Sequence, residues 1–552
     1  MHTNAIYSLK STREVAGFMD SVIDKVEEGG SGQAILDSVK NEAGTSTPKN
    51  LDFLLENLKD ADQQKLLDGI SEGVKVYKRE HGFYPTADVA EAAMQQARTA
   101  FLGVDGSGKI FDSVTSAHHD AGSLQPNRAV VAIMALFSEA IPFAGYLPVD
   151  IGSNEGRVAI LSHTSNSNAG DYSDGDLLDG TNAGGVFASS QRMVHFDTSA
   201  GTTYDSKFTT TCLDADPGYC DPAGTGVPLL RGRTTIFING LVVAVDAING
   251  NGATSPIAGS IKMPNGAEIT ITGTVTLATG AIEIVSNVAL ADYEVTAQSI
   301  IDFELQPALI NKIGVGASVW SVYANPWRVM TGITIDASGQ LRNELGLDGA
   351  SEALLAIRAQ MAQERHYQAL EMVRRIGANN VVDWNYDYQN QIQQKIRAQI
   401  LQDFAPVLAN ADQQMANQTM DHGITHLYAP AWFVSLCAGL PSDLFEPSGI
   451  SARPSVYRAG RLFGKYDVYY SPKKVSQGAD LSTSSLIAVG RSNQVARNPI
   501  LLGDAVSATF MQLGLMSDLV QNAAVYGRDF TVVNPHQLSA LGASRINITN
   551  MM

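Results

Sequence analysis

LDGASEALLAIRAQMAQERHYQALEMVRRIGANN, residues 347–380, carries helix signals at both of its ends. Asp348 stands where a side-chain oxygen caps the first free amides, and Glu352 puts negative charge in the first turn. Arg374 and Arg375 put positive charge in the last turn, and Gly377 supplies the stop. At about 1.5 Å per residue such a helix is on the order of 40 Å long. Its apolar positions, Leu354, Ile357, Met361, Ala369, Val373 and Ile376, form only a narrow stripe. A long helix with one thin stripe to bury suits a strut laid across a sheet better than the middle of a bundle. The fold class expected is therefore α+β.

On the N-terminal side of this helix the chain divides by composition. Residues 1–102 read as helices: LDFLLENLKDADQQKLLDGISEGVKVYKRE spaces Leu51, Leu54, Leu55, Leu58, Leu66, Leu67, Ile70 and Val74 by threes and fours, with a break near ADQQ. PTADVAEAAMQQARTAFLG offers Pro85 and Thr86 to open a further helix and Gly103 to close it. Residues 103–130 turn to Gly, Ser, His and Asp and read as a flexible arm or linker. After the apolar AVVAIMALFSEAIPFAGYLPVD, the stretch SHTSNSNAGDYSDGDLLDGTNAGG (162–185) is too polar for a core and reads as a solvated loop. From about 200 to 300 the pattern is β: TTIFI and LVVAV flank Asn239-Gly240, a strong hairpin signal, and AEITITGTVTLATGAIEIVSN keeps the alternation. Beyond the long helix, YQNQIQQKIRAQILQDF puts Ile392, Ile396, Ile400 and Phe404 on one face and predicts a second helix.

A chain of 552 residues with 44% hydrophobic residues has material for several cores and two to four domains. The balance of 38 basic against 56 acidic residues leaves a net charge of -18, which argues against sequence-specific nucleic-acid binding, since that needs a basic footprint. The opening MHTNAIYSLKSTREV lacks a basic-then-apolar signal pattern, and no run reaches the roughly 18 apolar residues of a membrane span. A soluble protein made in the cytoplasm is expected. Three cysteines exclude a disulfide scaffold and a four-cysteine zinc site. Cys212 and Cys220 bracket CLDADPGYC, short enough to close as a disulfide in oxidising surroundings, whereas cytoplasmic thiols stay reduced. Cys437, within HLYAPAWFVSLCAGL, reads as a small buried hydrophobe.

Catalytic patterns fail one by one. GVDGSGKIF (103–111) fits G-x-x-x-x-G-K through Gly103, Gly108 and Lys109, but Ile110 replaces the magnesium-binding hydroxyl and the preceding residues read as helix rather than strand. LVVAVD (241–246) has the form of a Walker B strand, yet it is the second half of the Asn-Gly hairpin and so antiparallel to its neighbour. Asp171, Asp174, Asp176 and Asp179 miss the EF-hand template in each register, while looser calcium loops stay open. His422 and His426 are four apart, but Gly423 stands where a zincin needs its Glu. His118, His119 and Asp120 fall in the linker, and no G-x-S-x-G elbow occurs. The sequence predicts no enzyme, cofactor or metal.

Several stretches together resemble the major capsid proteins of tailed phages, in the T-even-like branch of the Hong Kong 97-type capsid fold. VWSVYANPWRVMTGITIDASGQLRNELGLDGASEALLAIRAQMAQERHYQALEMVRRI looks like that branch's strand, turn and spine helix, with Leu345 where members often carry His before the glycine. GITHLYAPAWFVSLCAGL looks like an axial-domain strand and helix, and RLFGKYDVYYSPKK (461–474) is similar to the Gly-Lys-Tyr-x-Val-Tyr strand. SLIAVGRSNQVARNPILLGDAVSATF looks like the return strands, without the Ala-Pro-Tyr often found there. The resemblance covers roughly 130–185 and 285–552.

What the resemblance implies is an α+β capsid fold with an all-β insertion domain. Its layout would be a helical, scaffold-like N-terminal region (1–102), an N-arm (103–130), the start of a peripheral domain (131–161) and an extended loop (162–199). A β-rich insertion domain (200–296), the peripheral domain with its spine helix (297–385), an axial domain (386–520) and a return to the peripheral domain (521–552) would follow. Asp171, Asp174, Asp176 and Asp179 would lie in the inter-subunit loop. Ile70-Ser71-Glu72 and Val89-Ala90-Glu91 have the form cut after Glu by a phage protease. The implied partners are further copies of the chain, in hexamers and pentamers of an icosahedral virion shell. Vertex, decoration, scaffold, portal and protease proteins, and packaged double-stranded DNA held without sequence preference, complete the set. No membrane is implied, and assembly would take place in the host cytoplasm. A vertex protein, an encapsulin-like shell protein and a degenerate P-loop NTPase are the alternatives.

Overall fold

The computed structural model describes residues 9–28, 47–58, 60–102, 121–149, 153–199, 201–264, 266–334, 349–515 and 520–551, with 32, 35, 336, 340, 343 and 344. Lys109 with its glycines, His118, His119, Leu345 and the cap at Asp348 lie outside them. The chain forms two compact units, one from residues 1–160 and 319–552, the other from the continuous segment 161–318.

The second unit is all β. Its strands run across one sheet in the order Thr203–Lys207, Ala281–Ser286, Glu268–Thr276, Thr254–Lys262, Leu241–Asp246, Thr235–Ile238, Val295–Ile300, Gln191–His195, Asp216–Cys220 and Cys212–Leu213. Side chains alternate about the sheet, so Ile236, Ile238, Ile257, Ile269, Ile271, Val275, Ile282 and Ile284 all fall on its buried face. At the predicted hairpin Ile238 pairs with Leu241, and Asn239 and Gly240 have φ of 49° and 78°, the left-handed pair that a two-residue turn requires. The expected insertion boundaries at 200 and 296 cut through this sheet. Gln191–His195 is hydrogen-bonded to Val295–Ile300, and both belong inside the unit.

The polar stretch 162–185 differs from a structureless loop. Tyr172 and Phe187 meet edge to face at 5.7 Å over Ala169, a small core that the stretch forms with a residue just beyond it. Backbone amides that would otherwise need water are taken up by aspartates, as turn-forming Asp residues do. Asp171 accepts from Gly218 and Val186 at 2.8 and 2.6 Å, Asp176 from Ser173 at 2.6 Å and Asp179 from His163 at 2.7 Å.

In the first unit, helices Leu9–Glu27, Lys49–Glu56, Asp60–His81 and Ala87–Leu102 bury the predicted Leu51, Leu54, Leu58, Leu66, Leu67, Ile70 and Val74. A helix not foreseen, Ala121–Glu139, starts inside the expected linker 103–130. It crosses Asp60–His81 at two glycines: a Cβ on Gly69 would come within 2.8 Å of Val130, and one on Gly73 within 2.6 Å of Phe137. The expected second helix is broken. Tyr388–Gln391 and Arg397–Gln402 are short, Ile392 and Ile396 between them are exposed, and only Ile400 and Phe404 are buried, the latter opening a helix Phe404–Thr419.

The long helix runs Gly349–Ile376. Its C-terminal half buries Ala369, Leu370 and Val373 completely, whereas Leu355 near its start is 60% exposed. It packs against a four-stranded sheet, in the order Gly145–Tyr146, Ile500–Leu515, Val520–Val533, Asn325–Thr334. It also touches a larger sheet in the order Val381–Asn385, Ala543–Thr549, Ser484–Gly490, Ile424–Ala429, Tyr466–Tyr470, Tyr457–Leu462, Phe445–Pro447. The expected boundary at 520 falls between two paired strands of the first sheet, and Ala543–Thr549, assigned to the peripheral return, is an inner strand of the second. Strand pairing decided both points, in the second case between strands far apart in sequence.

Candidate functional site

Those of the residues considered for chemistry that the structure describes are engaged in local structure. Asp246, at the end of LVVAVD, is 4% exposed and accepts from the amides of Gly232 and Thr234 at 2.7 and 2.9 Å, leaving nothing to face a phosphate. Asp171, Asp174, Asp176 and Asp179 do not converge: the Asp174 amide donates to Asn168 Oδ1 at 2.7 Å, and Asp179 meets His163. His422 is bonded to Asp421 at 3.2 Å, and His426 packs against Phe83 and Tyr469. Among the described residues no group of three or more His, Cys, Asp or Glu is gathered as for a metal ion. Burial pushes the Cys437 thiol up, away from nucleophilic use.

Glu72 and Glu91 lie inside helices, Asp60–His81 and Ala87–Leu102. Ile70 and Ser71 before the one, and Val89 and Ala90 before the other, are buried. A protease needs its substrate extended, so both bonds are inaccessible while these helices stay folded.

The most strongly built polar region lies in the first unit, where the N-terminal helices, the long helix and both sheets meet. Arg491 is buried beside Asp88 at 2.9 Å, and Asp88 also accepts from the Tyr146 amide at 3.0 Å. Arg365 reaches Asp504 at 2.8 Å and Asp529 at 3.8 Å, while Gln96 donates to the other Asp504 oxygen at 2.7 Å. Burial, with Asp504 opposite, pushes the Asp529 carboxyl up to about 6. Arg458 joins Asp467 at 2.7 Å. Close by, a cavity of about 280 Å³ is lined by Glu80, His81, Glu139, His366, Arg453 and Tyr469 among others. Two ion pairs flank it, Glu80 with Arg453 at 2.7 Å and Glu139 with Arg358 at 3.1 Å. His81 is bonded to Tyr469 at 3.1 Å and His366 to Tyr428 at 3.2 Å, and burial pulls their pKa values down to about 3 and about 4. Neutral rings already paired to tyrosines make a packed joint, not an acid–base couple.

None of these ion pairs was read from the sequence, although one signal was present. Arg358 and Arg365 occupy the long helix's own apolar stripe, at the spacing of Leu354, Met361 and Ala369. The stripe is narrow because two arginines interrupt it, and an arginine as buried as Arg365 needs an acid beside it.

Apolar residues are also left uncovered. Val319 and Tyr323, on one face of their strand, and Met330 are 58%, 62% and 65% exposed in the first unit. In the second, Ile313 and Val315 likewise share a face at 61% and 67%.

No family model and no curated protein matches the chain. Among solved structures it is similar to the icosahedrally averaged capsid of jumbo bacteriophage PhiKZ, at 10% identity and a TM-score of 0.41, over 74% of this chain and 92% of that one. It is similar to the holo-SrpI encapsulin complex from Synechococcus elongatus PCC 7942 at 11% identity and 0.27, over 43% and 79%. The capsid of Myoviridae phage XM1 gives 8% and 0.27, over 44% and 78%.

Proposed function

We propose that this chain is the major capsid protein of a tailed phage, assembling as hexamers and pentamers into an icosahedral head around double-stranded DNA. The observation that carries the reading is the long helix Gly349–Ile376 braced across two sheets, with a whole β unit spliced in as the continuous segment 161–318. That arrangement supports the spine helix and inserted β domain that the capsid-like stretches on either side of the helix imply. Further support comes from rows of exposed apolar side chains, which a protein working as a monomer seldom keeps uncovered. A net charge of -18 suits a container that must not hold its DNA tightly. In this reading the chain belongs to the T-even-like branch, the four-stranded sheet and long helix form the peripheral domain, and the larger sheet forms the axial domain. Segment 161–318 is the insertion, with Asp171, Asp174, Asp176 and Asp179 in the part that reaches a neighbouring copy.

Electron microscopy of the purified full chain tests the proposal. Closed shells, or rings of six and five, are expected; a monomer that yields no particles at high concentration under any condition overturns it. Copy number within purified heads then separates a main shell protein from a vertex protein.

A further inference from the structure

Cys212 and Cys220 face one another on the antiparallel strands Cys212–Leu213 and Asp216–Cys220. The Asp221 amide donates to the Thr211 carbonyl at 2.9 Å just outside the pair, and the Cys212 amide donates to Gly170 rather than to Cys220. This makes the two cysteines a non-hydrogen-bonded pair, the closer kind, with Cα atoms about 4.5 Å apart, within the roughly 4.4–6.8 Å that a disulfide bridges. Both thiols are free, the Cys220 thiol donating to the Thr209 carbonyl at 3.5 Å; side by side, the Cys220 thiol is drawn below its ordinary range and the Cys212 thiol pushed above it. Cys220 is buried and Cys212 partly exposed, so a reagent from solvent meets Cys212 first.

The same ribbon anchors the acidic loop. Gly170 donates to the Thr210 carbonyl at 2.8 Å and accepts from Cys212 at 2.7 Å, while the Asp171 carboxylate accepts from Gly218 in the strand that carries Cys220. We propose that Cys212 and Cys220 are a redox pair that closes into a disulfide and thereby locks the loop 166–186 onto the ribbon 210–221.

The oxidant is a low-molecular-weight disulfide. Cys212 sulfur attacks one sulfur of the reagent; the reagent's S–S bond breaks and its first half leaves as a thiolate, which takes up the Cys212 proton. Cys220 then attacks the mixed disulfide at Cys212 sulfur, the protein S–S bond forms, and the second half leaves. The two protons go to the departing thiolates, so two protein thiols are oxidised as one disulfide is reduced to two thiols.

The test uses the reduced full chain equilibrated with oxidised glutathione. Loss of two of the three thiols, a mass decrease of two hydrogens, and linkage of Cys212 to Cys220 in peptides cut between them are expected. Cys437→Ser should leave this outcome unchanged, and Cys212→Ser should abolish it. Retention of all three thiols in excess oxidant, or linkage through Cys437 or between chains, overturns the pair. An Asp-specific protease acting at Asp174 and Asp176 reads the lock: cutting should slow several-fold on oxidation, and equal rates before and after overturn the locking role.

Discussion

The second unit draws much of its core from neighbouring strands joined by short turns and closes within one continuous segment, whereas the first draws its core from segments hundreds of residues apart. In the second, Thr254–Lys262, Glu268–Thr276 and Ala281–Ser286 are paired in chain order, and one alternating pattern supplies both register and core. In the first, Asp88 meets Arg491 and Gln96 meets Asp504, contacts that no local pattern specifies. The difference teaches where specificity sits: aliphatic burial fixes the β unit, while buried charge pairs add registration to the mixed one.

The largest effect expected is of pH, and it should fall on the first unit. His81, His366 and His426 are held neutral by burial, with pKa values pulled down to about 3, about 4 and about 3. The unfolded chain takes up these protons below about 6.5 and the folded chain only near 3 to 4, so their stabilisation is full above pH 6.5 and lost as pH falls toward 4. Asp529, raised to about 6, acts in the opposite sense, but it is one group against three. The loss should be on the order of several kcal/mol. Calorimetry should show the first unit's transition falling with acid and the second's moving less; equal falls would erase the contrast.

Arg491→Ala leaves Asp88 charged and buried, at a cost of about 3–5 kcal/mol in chemical denaturation of the first unit. The transition of the second should not move. Gly240→Ala forces an alanine to a φ of 78° and should cost the second unit about 1–2 kcal/mol, read from the same curves. Smallest of all, Arg375→Ala removes a partner of Glu371 whose own side chain is 74% exposed, and its effect should stay below about 0.5 kcal/mol. A larger loss there would mean that surface charge, too, registers the first unit. Residues 161–318 expressed alone should unfold in one cooperative transition, since their core is continuous in sequence; a molten fragment would show that the β unit depends on the rest.

Legibility followed the same divide. The helix at Gly349–Ile376, the Asn239-Gly240 turn and the leucine ladder of the N-terminal helices could be read because each rests on spacing within a few residues. The helix Ala121–Glu139 was hidden by the glycines, serines and histidines just before it, and the helix expected across Ile392 and Ile396 was broken where those residues find no core to cover them. Arg358 and Arg365 were visible as interruptions in an apolar stripe, but their partners Glu139 and Asp504 lie on other elements.

The chain by itself therefore determined its periodic elements and the lack of a recognisable catalytic spacing, because helix and strand preferences act between near neighbours. Only the tertiary structure decided that Ala543–Thr549 is an inner strand, that 161–318 is one unit and that the N-terminal helices share a core with Tyr428 and Val489. It also decided that Cys212 faces Cys220 across a non-hydrogen-bonded pair. Each of these depends on which distant surfaces exclude water from one another, and that free energy has no address in any short stretch of sequence.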